Sequence, residues 1–214
     1  MMEARGVVAG RGPGTAARAP LHFQLAPGRI SLLLGPNGSG KSSLLLALAG
    51  LLPLQQGTLW LDGRRIDGLP PERRRALGLA LVPEGPAVLP GLTVQDNLRA
   101  GGSGLRRAAL QAAVERMLQR FPELRPCLGQ AAGTLSGGQR KLLALAQALV
   151  GGPRYLLLDE PMLALAPPVV QRLRGLLPLL RKEGIGLLLA EPPPAPALQA
   201  LADDLLPLPP AGGR

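Results

Sequence analysis

Gly35-Pro36-Asn37-Gly38-Ser39-Gly40-Lys41-Ser42 is the stretch on which the fold turns. It fits the pattern G-x-x-x-x-G-K-[S/T], and its flanks are those the pattern needs. Before it, Ile30-Ser31-Leu32-Leu33-Leu34 is a short, mostly apolar run, read as a buried strand. After it, Ser42 to Ala49 reads as an apolar helix stopped by Gly50. Glycines at these places let backbone N–H groups turn inward around phosphate oxygens, and the helix N-terminus adds unpaired donors and a favourable dipole. Lys41 can reach the β- and γ-phosphates of a nucleotide, and the Ser42 hydroxyl can ligate Mg²⁺. The competing reading, a glycine turn in an unrelated α/β protein, does not explain why strand, loop and helix occur together.

Working outward, strands alternate with helices. Leu21–Leu25 alternates weakly, as an edge strand would. Thr58–Leu61, Leu77–Val82, Tyr155–Leu158 and Ile185–Ala190 are further strand candidates, the last of them closing the series. Thr93 is expected to cap one helix, and Ser103 to precede a longer one in which Leu105, Leu110, Val114 and Leu118 recur at near-helical spacing. Residues 139–150 and 169–180 read as two more helices. This order predicts an α/β fold with a largely parallel sheet covered on both faces. Residues 1–20, rich in Gly, Ala, Arg and Pro, are expected to be poorly ordered.

Composition narrows the class. The 214 residues suffice for one domain, and with 46% hydrophobic but only 2% aromatic residues its core must be aliphatic. The net charge of +10 comes nearly all from Arg, scattered apart from Arg73-Arg74-Arg75 and two shorter pairs. No aromatic residues interleave with the Arg to stack bases, so no nucleic acid partner is expected and the charges are read as solvated. Cys127 is the one cysteine and forms no internal disulfide; His22 stands without ligand partners and is read as structural. Residues 1–20 hold no apolar stretch of the kind a signal peptide needs. The longest apolar run, Leu44–Leu54, is broken by Gly50 and Pro53 and is too short to span a bilayer.

Two further motifs carry chemistry. Leu156-Leu157-Leu158-Asp159-Glu160 puts two carboxylates straight after a buried strand, where ligands of open parallel sheets sit. Asp159 can hold Mg²⁺ and Glu160 can polarise an attacking water. Alone, the pair is an ordinary polar strand end; beside a phosphate loop it is informative. Upstream lies Leu135-Ser136-Gly137-Gly138-Gln139, a Ser-Gly-Gly turn opening a helix, which makes a second anion-binding helix end.

That last segment matches the signature of ABC ATPases, and the chain resembles this family from about residue 21 to about residue 204. It is most similar to the ATPases of the branched-chain amino acid importers. The carrying segments are Leu81-Val82-Pro83-Glu84-Gly85, Leu92-Thr93-Val94-Gln95-Asp96-Asn97-Leu98, Ala132 to Gly138, Leu156 to Pro161 and Leu165-Ala166-Pro167. The resemblance implies a single cassette over 21–206, with a helical subdomain at about 93–150 and a tail at 207–214. It implies ATP and Mg²⁺ as cofactors, ATP being held by Gly35, Pro36, Asn37, Gly38, Ser39, Gly40, Lys41, Ser42 and Ser43. Glu160 and Lys41 would be catalytic, and Ser42, Glu84 and Asp159 would serve the metal. Ser136, Gly137, Gly138 and Gln139 would contact the ATP of a second cassette docked head to tail. Membrane-spanning permease subunits and an extracytoplasmic solute-binding protein are implied as further partners, with the chain peripheral on the cytoplasmic face of the cell membrane. Glu84, where most cassettes have Gln, would couple hydrolysis to transport.

The chain also departs from the family. The position of the usual adenine-stacking aromatic falls near Arg11 and Gly12. Pro86 replaces the Arg that follows Val-Pro-Glu-Gly, and Met162-Leu163-Ala164 replaces a Ser- and Gly-containing loop. The switch residue, usually His and Gln in the similar importers, falls at Pro192, which offers neither a side-chain donor nor a backbone N–H. Two readings follow: a slow ATPase relying on Glu160, or a cassette that binds ATP, hydrolyses it poorly and works with an intact partner. A non-transport ABC protein is a third.

Overall fold

The computed structural model describes residues 1–10, 19–85 and 87–209; Arg11, Gly12 and Pro86 lie outside them. In chain order the strands and helices are β1 (Met2–Ala9), β2 (Leu21–Leu25), β3 (Ile30–Leu34), α1 (Lys41–Ala49), β4 (Leu54–Leu61), β5 (Arg64–Arg65), α2 (Pro71–Ala76) and β6 (Leu79–Val82). Then follow α3 (Val94–Gly101), α4 (Arg107–Arg120), α5 (Gly137–Val150), β7 (Tyr155–Asp159), α6 (Pro167–Lys182), β8 (Gly186–Glu191), α7 (Pro196–Gln199) and β9 (Asp204–Pro207).

The central sheet is parallel, in the order β6-β7-β8-β3-β9. The interior strands β7 and β8 are buried along their whole length because both faces of the sheet are covered there. Ile30 and Leu32 of β3, Leu156 and Leu158 of β7, and Leu187 and Leu189 of β8 face one core, shared with α3 to α6. Their alternates Leu33, Leu157 and Leu188 face a second core, with α1 and a separate four-stranded sheet. That second sheet is antiparallel, in the order β2-β1-β4-β5.

Four expectations are corrected. Residues 1–20 are not uniformly poorly ordered: Met2–Ala9 is an interior strand with Met2, Ala4, Val7, Val8 and Ala9 buried. Its pairing shifts register between Ala4 and Val7, which breaks the period-2 pattern a sequence reading relies on. Ile185–Ala190 is not the last strand, since β9 adds an edge beside β3. Nor are the clustered arginines all solvated. Arg74 is buried and donates to the carbonyls of Ala47 (2.7 Å) and Leu48 (2.8 Å), satisfying the C-terminal end of α1. The helix expected after Ser103 begins later, at Arg107.

Thr93 caps α3 as expected, accepting from the Asp96 N–H at 3.0 Å. Asn97, fully buried, accepts from the Leu89 N–H (2.7 Å) and donates to the Leu89 and Thr93 carbonyls (3.0 and 2.9 Å), so it fixes the loop entering this helical region.

Candidate nucleotide site

Register brings the site together. Leu34 ends β3 opposite Glu191 of β8, and Asp159 ends β7 opposite Ala190. Three neighbouring strand ends therefore deliver the loop 35–40, the pair Asp159-Glu160 and Glu191-Pro192 to one edge, where ligands of such sheets bind.

The loop needs its glycines for two different reasons. At Gly35 a Cβ would sit 2.5 Å from Ser39 Oγ and 2.7 Å from the Leu208 carbonyl oxygen, so the backbone passes too close for any side chain. Gly40 caps α1 with φ 98°, a left-handed conformation open to glycine, and gives the helix no side-chain cap. The first N–H groups of α1 thus keep no side-chain partner of their own at the cap.

Lys41 is the buried floor of the site. Its Nζ donates to the carbonyls of Gly35 (2.9 Å) and Pro36 (3.3 Å) and lies 3.4 Å from Glu160 Oε1. Asp159 is 3% exposed and its Oδ1 has no hydrogen-bond partner. Burial pushes its carboxyl above the usual range, against the opposing pull of a hydrogen bond from Ser42. A buried carboxylate with an unused oxygen beside a serine hydroxyl is the donor set a hard divalent cation takes, so the residues fit Mg²⁺. A cleft of about 360 Å³ opens above, lined among others by Asn37, Gly38, Lys41, Glu84, Glu160 and Pro192.

Gly35 to Ser43, Glu84, Asp159 and Glu160 are therefore gathered at one place. Ser136 to Gln139 are not: none of them lines this cleft. They open α5 with a capping box, in which the Gln139 N–H donates to Ser136 Oγ (3.2 Å) and the Ser136 N–H to Gln139 Oε1 (3.0 Å). Ser136 and Gly137 are exposed, and nothing lies within 4 Å of a Cβ built at Gly137. The Ser136 hydroxyl hydrogen remains available to an acceptor from outside.

Two site residues escaped the sequence reading. Glu191 is 9% exposed, and its carboxyl is pushed up to about 7 by burial and by the nearby charge of Glu160. Lys141 of α5 is lowered by burial although Asp159, Glu191, Glu84 and Glu160 all favour its charge. The rule that found Asp159, an acid closing an apolar strand, applies equally to Glu191 after Leu187-Leu188-Leu189-Ala190.

Residues 19–163 match the family described as ABC transporter. The chain is 39% identical over 168 residues to the high-affinity branched-chain amino acid transport ATP-binding protein BraG of Pseudomonas aeruginosa, covering 78% of this chain and 72% of BraG. It is 42% identical over 138 residues to the probable branched-chain amino acid transport ATP-binding protein LivF of Archaeoglobus fulgidus, covering 64% of this chain and 58% of LivF. Among solved structures, a dimeric bacterial ABC transporter cassette superposes with a TM-score of 0.85 at 19% identity, covering 99% of this chain and 95% of that one. With the family match spanning both the phosphate loop and the acidic pair, the chain belongs to the ABC transporter family, as one of its ATPase cassettes.

Proposed function

We propose that this chain binds MgATP at Lys41, hydrolyses it within a head-to-tail dimer, and so powers amino acid transport through separate membrane-spanning subunits. The carrying observation is the buried Lys41 Nζ lying 3.4 Å from Glu160, next to an Asp159 oxygen with no partner. In this reading the N–H groups at the start of α1 and Lys41 hold the phosphates. Ser42 and Asp159 hold Mg²⁺, which when bound offsets charge on the phosphate oxygens. Glu160 takes the proton of a water whose oxygen bonds to the γ-phosphorus, while the bond from that phosphorus to the bridging oxygen breaks. Lys41 stabilises charge on the leaving and transferred oxygens. Phosphate oxygens compete with Glu160 for Lys41, which frees the carboxylate to act as base.

The signature residues support the dimer, because their exposed helix end serves no nucleotide in their own cleft. The likeness to BraG and LivF supports an amino acid cargo. No helix among the described residues is long and apolar enough to cross a membrane, so the proposal places the span, and contact with any solute-binding protein, in other subunits. Peripheral attachment on the cytoplasmic face belongs to the same proposal.

Glu160→Gln is expected to lower turnover by at least about 10²-fold and to leave MgATP affinity within about threefold of wild type, since its contact is with water and Lys41 rather than with the phosphates. Turnover unchanged by Glu160→Gln would sink this assignment. A second reading rests on Pro192, which lines the cleft without a donor: a cassette that binds MgATP and turns over only beside an intact partner. Binding without turnover by the pure chain, restored by a second cassette, would select it.

A further inference from the structure

The two glycines of the signature turn have different surroundings. Apart from its chain neighbours and its own helix backbone, a Cβ built at Gly137 meets no described atom within 4 Å. One built at Gly138 stands 2.9 Å from Cγ2 of Val169, 3.7 Å from its Cγ1 and 3.8 Å from its Cβ. Gly138 lies in the first turn of α5 and has no left-handed φ, so an alanine there is opposed by that contact and not by the backbone. Val169 cannot swing aside. It stands in the first turn of α6, and a β-branched side chain in a helix keeps one strongly preferred χ1. The contact is also one link of a closed ring. Arg172, three residues further along α6 and so on the same face, donates from Nε to Glu123 Oε1 at 2.9 Å and from Nη2 to the Arg120 carbonyl. Glu123 belongs to the 3₁₀ turn Pro122–Cys127. At the far end of that turn, Cys127 Sγ accepts from Gln139 Nε2 at 3.6 Å, and Gln139 is bonded to Ser136.

We propose that Val169 is a positioning residue for ATP hydrolysis: it is the seat on which the signature turn rests, and Gly138 is bare so that α5 can approach α6. Gly137 then faces outward, free for the nucleotide of the other chain. Close packing makes such a seat stiff, since a gap of even a methyl group at a contact like this forfeits much of its attraction. The seat also joins two parts of the machinery. α6 follows the loop 161–166 that leaves Glu160, so the helix that bears Val169 continues from the turn that bears this chain's own base. A contrary account keeps Gly138 bare for the ligand, because the other chain's phosphate approaches there. The two accounts part on what Val169 does to an alanine at 138.

The seat rests on the head-to-tail ATPase reading for its effect on turnover, so the test has a second readout that needs no turnover. Gly138→Ala, Val169→Ala and the double variant are compared in the full-length chain. In the double variant the added methyl meets only the Cβ of residue 169, at 3.8 Å, an ordinary contact. Gly138→Ala is expected to cut kcat about tenfold or more with KM for MgATP within about threefold, because Gly138 does not line its own chain's cleft. Val169→Ala is expected to cut kcat several-fold, and the double variant to turn over faster than either single one. A double variant no better than Gly138→Ala overturns the proposal and leaves Gly138 bare for the ligand. The second readout is hydrogen exchange at the Gln139 and Arg140 amides, which are bonded to Ser136. Without nucleotide, Gly138→Ala is expected to speed it by about tenfold or more and the double variant to restore it. Exchange unchanged in Gly138→Ala overturns the seat. If Gly138→Ala does not fold, the pair still decides, since the seat requires the double variant to fold. A wild-type chain that hydrolyses nothing counts against the ATPase reading, and the exchange result then decides the seat.

Discussion

Two helix N-termini in this molecule are built in opposite ways. At α1 the cap is Gly40, which supplies no side-chain acceptor, and the next residue is a buried lysine hydrogen-bonded to the loop's own carbonyls. At α5 the cap is Ser136, closed by a reciprocal bond with Gln139. The first end is left for an anion to complete. The second is complete in itself and presents exposed Ser136 and Gly137 to the outside. A helix end that is stable alone and open outward suits a ligand that arrives on another molecule. In the dimer proposed above, the pair would form two halves of one site that a second chain brings together.

Glu160→Gln, described above, is the largest effect expected and concerns the first end alone. A sharper contrast comes from Gly137→Ala. Among the described residues, and apart from its neighbours and its own helix backbone, no atom lies within 4 Å of the added Cβ, and the position has no left-handed φ, so folding should not notice it. Tm is expected to stay within about 2 °C, while turnover falls about tenfold or more because the methyl group enters the space facing the other chain's nucleotide. A matching loss of Tm would make Gly137 a packing residue and weaken the contrast.

At the first end, Pro192→Gln restores a donor at the cleft. Turnover is expected to rise by several-fold, and no change would show that Glu160 already works without help from this position. The smallest effect is on stability. Burial raises the Glu191 carboxyl from 4.5 to about 7, so the folded chain keeps that proton to higher pH than the unfolded chain does. Its burial therefore costs stability progressively as pH rises from about 4.5 to about 7. Glu191→Gln lacks the titration, and its stability relative to wild type is expected to improve between pH 5 and pH 8 by up to about 3 kcal/mol. Denaturant unfolding at the two pH values measures it. A gain of the same size at both would mean that Glu191 does not titrate there.

What the sequence disclosed and what it hid follow physical lines. The parallel core was legible because each strand is apolar on both faces, so Leu32-Leu33-Leu34 and Leu156-Leu157-Leu158 need no partner to be recognised. Ser136-Gly137-Gly138 was legible as a turn opening a helix, although the capping box between Ser136 and Gln139 was not read from their spacing. β1 was hidden because its register shift and Arg5-Gly6 interrupt the alternation. β9 was hidden because Asp204 and Pro207 bound only two leucines. Arg74 looked like one of a surface cluster because its acceptors, the Ala47 and Leu48 carbonyls, lie 27 and 26 residues away in the chain. Glu191 was overshadowed by its neighbour Pro192, whose lack of a donor drew the reading away from the acid beside it.

The claim that the two helix ends serve one site across two chains has a direct test. Lys41→Ala removes the first end and Ser136→Arg blocks the second, so each variant alone should be inactive. Mixed in equal amounts, half of the dimers would be mixed, each with one intact composite site. The mixture is expected to recover about a quarter of wild-type ATPase activity. A mixture as inactive as its components, shown to have exchanged chains, would contradict the account.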